Sequence, residues 1–389
     1  MSTPAVSRRS FVGAATAVAG LLAFQGAAFS AYAADDKKAA DSKDAPKTRT
    51  ITDMRGREVE IPEKAERILA IGCAQRFASY LGAADRLIGV EESDREDSVA
   101  CTYRHVYHDM FAALPIIGDG GSNGALVNEE AILAAAPDLV LCDSIDVDTC
   151  NALQQKTGVP FVALDQPESV FDDFYYKNME VAGEALGEQE RAAEIVDYIK
   201  GIQTDIADRV KDAGKDIAAY ACGISYRGGH GFDGTEANFP PFLACGVTNI
   251  ADGEGLDGPY TIDVEKVIAA QPDYIFIESG NLDLVKEDYA NSPAVYNALS
   301  AVENGNTYTL ISHRFYSTNV ELALANCYQV ASVLFPGQFE DVDPVEKLDE
   351  ICRFLLDSDA CSFFKDGRKV SEDLAETGLE YKQVDVKAL

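Results

Sequence analysis

Apolar residues in this chain gather in short runs separated by amphipathic stretches and turn residues. The run at 67–72 (RILAIG) reads as a short buried strand. It leads directly into a helical pattern at 75–81, with Gly82 just past its end. Strand-like and helix-like segments then alternate at 87–90, 130–136, 139–142, 149–157 and 161–164. Such alternation predicts a parallel sheet covered by helices. Ahead of it, 48–61 alternates loosely around Arg55-Gly56-Arg57, the pattern of an N-terminal hairpin.

Residues 172–210 break this rhythm. Charges there interleave with apolar positions at helical spacing, from Val181 and Ala182 to Ile202 and Ile206, and Gly183 and Gly187 interrupt the run. The segment predicts one long helix or two, joining two lobes. Strand–helix alternation resumes at 217–224, 274–278 and 307–311. A helix over 319–335 stops before Pro336-Gly337, and an acidic helical tail follows at about 344–364. These patterns divide the chain into an N-terminal lobe (49–170), a connecting helical segment (171–212), a C-terminal lobe (213–335) and a tail (336–389).

A repeat supports the two lobes. Glu130-Ala-Ile-Leu-Ala-Ala-Ala-Pro137-Asp138 and the apolar run after it match Glu265-Lys-Val-Ile-Ala-Ala-Gln-Pro272-Asp273 and its run, with one spacing between all matched pairs and Ser144 matching Ser279. Each copy reads as a short helix, a Pro-Asp turn that ends it, and a buried strand. The expected fold is therefore α/β: two similar lobes with parallel sheets flanked by helices.

Composition agrees with a packed interior, since 47% of residues are apolar. The formal net charge of −32 disfavours nucleic acid as a partner. The first 33 residues read as an export signal: Ser7-Arg8-Arg9-Ser10-Phe11-Val12 has the twin-arginine pattern, an apolar stretch follows, and Ala31-Tyr32-Ala33 is a cleavage site. A charged linker covers 34–48. Nine cysteines is an odd number, so at least one is unpaired within the chain. Export permits pairs such as Cys142/Cys150 and Cys352/Cys361, and buried free thiols are the alternative.

In order along the chain, these features resemble the class III periplasmic binding proteins of ABC importers, which receive iron–siderophore complexes, haem and cobalamin. The resemblance covers about residues 49–364. It rests on the opening Ile51-Thr-Asp-Met-Arg-Gly-Arg-Glu-Val-Glu-Ile-Pro62, both Glu-x6-Pro-Asp segments, the stretch with Leu186-Gly187-Glu188 and Ala192-Ala193-Glu194, and the closing Asn319-Val-Glu-Leu-Ala-Leu-Ala-Asn326. It implies a rigid inter-lobe helix, a ligand cleft between the lobes, a monomeric protein outside the cytoplasmic membrane, and delivery to a dimeric permease. Glu130 and Glu265 match the acids that dock such proteins on permease arginines.

Loops after the strands are the candidates for ligand contact. Ser225-Tyr226-Arg227-Gly228-Gly229-His230 offers Tyr226, Arg227 and His230 among glycines that let a ligand approach. Ile311-Ser312-His313-Arg314-Phe315-Tyr316 offers Arg314 and Tyr316 to clamp a carboxylate or oxyanion. In the N-terminal lobe Arg76 leads into a helix, and Arg104 lies among Tyr103, His105, Tyr107 and His108. The H-x-x-H spacing is a weak metal signal, and four histidines in all favour a complexed metal over a bare one. The glycines of 118–124 read as a turn. No catalytic motif or resident cofactor pattern is present, so the cargo is expected to be a ferric complex, haem or a metal oxyanion. An exported metal-handling enzyme or a surface interaction protein is the alternative on the same scaffold.

Overall fold

The computed structural model describes residues 47–120, 128–143, 145–166, 169–214 and 216–388. The export signal and most of the charged linker lie outside these residues, as do Gly121 and Gly124. The described chain begins with the hairpin. Thr48–Thr52 pairs antiparallel with Glu58–Pro62, setting Ile51 opposite Val59. The buried Asp53 holds the turn, accepting from the amides of Arg55 and Arg57 and from Arg57 Nε.

The two largest sheets are both parallel. In the N-terminal lobe Leu139–Cys142 lies between Ile68–Ile71 and Phe161–Ala163. In the C-terminal lobe the order is Thr248–Asn249, Ala218–Cys222, Tyr274–Glu278, Thr307–Leu310. The strands are buried on both faces, which explains their unbroken apolar runs. Their twofold alternation sorts the side chains. Ile68, Ala70, Leu139 and Leu141 face one large core, while Leu69, Ile71, Val140 and Cys142 face local helices. The second sheet divides the same way: Ala219, Ala221, Phe276 and Leu310 join the same large core, and Tyr220, Cys222, Ile275 and Ile277 form a separate cluster. One continuous apolar core thus runs through both lobes.

The repeat has a structural cause. Helices Glu129–Ala135 and Val264–Ala270 are N-capped by Asn128 and Asp263, and both end on a left-handed residue, Ala136 (φ 48°) and Gln271 (φ 49°). Each Pro-Asp aspartate then clasps the start of the neighbouring strand. Asp138 accepts from the Arg67 amide and donates its own to Arg67 O; Asp273 does the same with Ala218. The helix–turn–strand unit is locked by one carboxylate in each lobe.

The connecting segment is two helices, Asp173–Leu186 and Gln189–Val210, separated at Gly187 (φ 77°). Gly183 lets them pack closely, because a Cβ there would lie 2.5 Å from that of Ala192. The second helix, 22 residues, spans about 33 Å at 1.5 Å per residue. The tail crosses back. Helix Val320–Leu334 packs on both Gln189–Val210 and Pro344–Leu356, and the latter contacts the first helices of the N-terminal lobe. All nine cysteines are buried free thiols, with Cys142 Sγ 3.6 Å from Cys150 Sγ. Among the described residues no helix is long and apolar enough to cross a membrane.

Candidate functional site

Three neighbouring parallel strands of the C-terminal lobe end at one place, and the loops that leave them enclose a cavity of about 690 Å³. Residues 225–229 follow Ala218–Cys222, Gly280 and Asn281 follow Tyr274–Glu278, and 312–316 follow Thr307–Leu310. Ala100 from the N-terminal lobe and Leu379 from the tail complete the wall. A cleft at the carboxyl ends of parallel strands is where α/β folds bind ligands.

The loops are fixed from beneath. Asn281 Nδ2 donates to Gly223 O (2.6 Å) and Ser225 Oγ (2.7 Å), tying two loops together. Gly280 lies close against the third loop: a Cβ there would sit 2.7 Å from Ser312 Oγ and would force that side chain to shift. Arg227 (φ 49°), Tyr316 (φ 50°) and Ser317 (φ 72°) adopt left-handed backbone, and strain of this kind gathers at ligand clamps. Sequence expectation had named Tyr226, Arg227, Arg314 and Tyr316, and the structure brings all four to this cavity.

Arg314 is aimed by a buried acid. Its Nε and an Nη donate to the two oxygens of Glu236 at 2.8 and 2.7 Å, a bidentate fork. His313, 1% exposed, lies 3.5 Å from Glu236 and 3.3 Å from Glu278, both nearly inaccessible. Burial pushes the Glu236 carboxyl up, but Arg314 and His313 outweigh it and hold it at about 2. Burial likewise opposes charge on His313, yet Glu236 and Glu278 keep its imidazole above the ordinary value. Glu278 also accepts from the Ser225 amide, so the cluster supports both ligand loops.

Arg76, Arg104 and His230 stand behind the wall. Arg104 is fully buried, donates to Asp94 at 3.1 Å and lies 3.8 Å from the ring centroid of Tyr316. Arg76 reaches across the lobes, donating to Tyr316 O at 2.8 Å and to Asn319 Oδ1. The Tyr80 hydroxyl makes a parallel crossing to Glu321 at 2.5 Å. His230 stacks on Tyr226, centroids 4.1 Å apart, and its Nε2 lies 2.9 Å from Tyr226 O. It braces that ring. His105 and His108 fall on separate short helices, Thr102–Val106 and His108–Ala113, and His105 is engaged by Asp97 and Asp373.

Glu130 and Glu265 are exposed in the first turns of their helices. Sequence reading missed Asn281, Glu236 and Leu379. Asn281 carried a signal in its position just after a strand; Glu236, between Thr235 and Ala237, and Leu379 carried none.

Comparison with known proteins agrees with this architecture. Residues 78–313 match the family described as periplasmic binding protein. An uncharacterized ABC transporter substrate-binding lipoprotein of Bacillus subtilis is 26% identical over 184 residues, 45% of this chain and 53% of that protein. A periplasmic solute-binding protein of Veillonella parvula superposes with a TM-score of 0.63 at 15% identity, covering 86% of this chain and 97% of the other. The molybdate-binding protein MolA of Haemophilus influenzae, solved with molybdate, superposes at 0.61 with 19% identity, covering 79% and 98%. The two superpositions establish the two-lobed fold, and the match over 78–313 assigns the chain to the periplasmic binding protein family.

Proposed function

We propose that this protein captures an organic metal complex, a ferric siderophore or haem, outside the cytoplasmic membrane and delivers it to a dimeric importer permease. The observation that carries the reading is the cavity. About 690 Å³ walled by Tyr226, Tyr316, Phe315 and Leu379, with Arg227 and Arg314 at its polar side, suits a bulky ligand with flat apolar surface and negative groups. Tyr226 and Tyr316 give faces for stacking, and Arg314 is held in place by Glu236, which lowers the cost of ordering it on binding.

Molybdate, tungstate and cobalamin are the competing cargoes. The likeness to the Haemophilus protein favours an oxyanion, but a tetrahedral oxyanion would fill a small part of this space and leave the aromatic wall unused. Glu130 and Glu265, one exposed acid in the first turn of a matching helix in each lobe, are assigned to permease docking, where charge sets register more than affinity. The twin-arginine signal is assigned to export of the chain to that compartment.

Thermal unfolding against ferric siderophores, haemin, cobalamin, molybdate and tungstate tests the proposal. A ligand at a hundred times its Kd stabilises by about 2.7 kcal/mol. A shift with a ferric chelate or haemin is the expected result. A shift with molybdate or tungstate alone would replace the cargo, and no shift with any of the five would remove the proposal.

A further inference from the structure

We propose that residues 374–384 form a strap that ties the two lobes together and supplies, in Leu379, a wall of the cavity that selects for ligands with an apolar flank. The selecting role rests on the cavity being the ligand site.

The strap has an anchor on each lobe. On the N-terminal side Asp373 lies 2.8 Å from His105 Nε2, and His105 Nδ1 lies 2.6 Å from Asp97. Arg368 also donates to Asp373, at 2.8 Å. Helix Val370–Glu376 packs on Pro344–Leu356, which contacts the first helices of this lobe, and Leu374 is fully buried in the large core. Gly378 (φ 81°) then reverses the chain, and the amides of Gly378 and Leu379 return to Ala375 O and Leu374 O. This fixed turn aims Leu379 at the cavity, with its Cδ2 near Gly280.

On the far side the chain runs along the free edge of the C-terminal sheet. The Thr309 amide donates to Lys382 O (2.8 Å), the Val384 amide to Thr307 O (2.9 Å), and the Lys382 amide to Thr309 Oγ1 (2.8 Å). Val384 and Val386 are buried in the cluster on the outer face of that sheet. The edge strand is thereby covered, and the segment between the anchors crosses from lobe to lobe. Any opening of the cleft must stretch or release it. A ligand pressed against Leu379 therefore bears on one of the elements that join the lobes, and a polar flank would lose contact there.

Two arms test this. In the first, Leu379→Gln and Arg227→Gln are titrated with haemin and with a ferric catecholate chelate. Leu379→Gln should bind about tenfold more weakly, the scale of a lost apolar contact in a pocket, with its ligand-free unfolding midpoint unchanged. If Arg227→Gln weakens binding and Leu379→Gln does not, the selecting wall is refuted while the cavity stands. If neither weakens it, the cavity reading falls and takes the wall with it. The second arm needs no ligand: amide exchange in Asp373→Asn should speed up about tenfold or more over 380–386 while 274–278 stays protected. Unchanged exchange over 380–386 would overturn the tether.

Discussion

Replacing Glu236 by Gln keeps the shape of the side chain and removes its charge. Arg314 (10% exposed) and His313 (1%) would then face a neutral amide. Two routes give the size of the loss. The carboxyl is held at about 2 against an ordinary 4.5, and at about 1.4 kcal/mol per unit its ionised form contributes about 3 kcal/mol. Removing one member of a buried ion pair costs about 3–5 kcal/mol, because the partner stays buried and uncompensated. The sign with pH follows. A carboxyl held low contributes fully above its unfolded value and loses that contribution as pH falls from 4.5 toward 2. His313, held high, contributes below its ordinary 6.5 and loses it as pH climbs past its folded value. Urea unfolding followed by circular dichroism at pH 7 and across pH 2–5 should show Glu236→Gln less stable by about 3 kcal/mol, with a flattened acid slope. A loss under about 1 kcal/mol, or an unchanged acid slope, would refute the claim that this cluster holds the ligand loops.

Burial, reinforced by Asp94, pushes the Glu91 carboxyl up to about 8, so the folded state retains a proton that the unfolded chain releases. That contribution is present below 4.5 and fades as pH rises through 8; Glu91→Gln should flatten the pH 5–8 stability profile, and a flat wild-type profile would contradict this. Arg227 is exposed, and Arg227→Gln should weaken cargo binding about tenfold without moving the ligand-free unfolding midpoint. Glu130→Arg with Glu265→Arg should abolish uptake in cells carrying the permease and leave cargo affinity in solution unchanged; wild-type uptake would remove the docking assignment.

Local grammar was legible and long-range company was not. The Pro-Asp repeat could be read because helix end, turn and strand are neighbours in sequence, and Asp138 and Asp273 turn out to lock it. The glycine and aromatic content of 225–230 marked a ligand loop for the same reason. Arg76 and Arg104 read as candidates for ligand contact, since nothing nearby in sequence announces Asn319 and Tyr316 from the opposite lobe. Leu379 sits in an acidic tail whose pattern says only helix and turn. Its place in the cavity depends on the tail crossing two lobes, which no local period encodes.

The central claim is that the cavity of the C-terminal loops takes a metal complex. The chain has no Trp and 17 Tyr, two of them in the cavity wall. Titration of the protein with haemin and a ferric catecholate chelate, read by tyrosine emission, tests the claim directly. Saturable quenching by one of them, weakened in Arg227→Gln, is the predicted result; quenching that never saturates, or that Arg227→Gln leaves untouched, would contradict it.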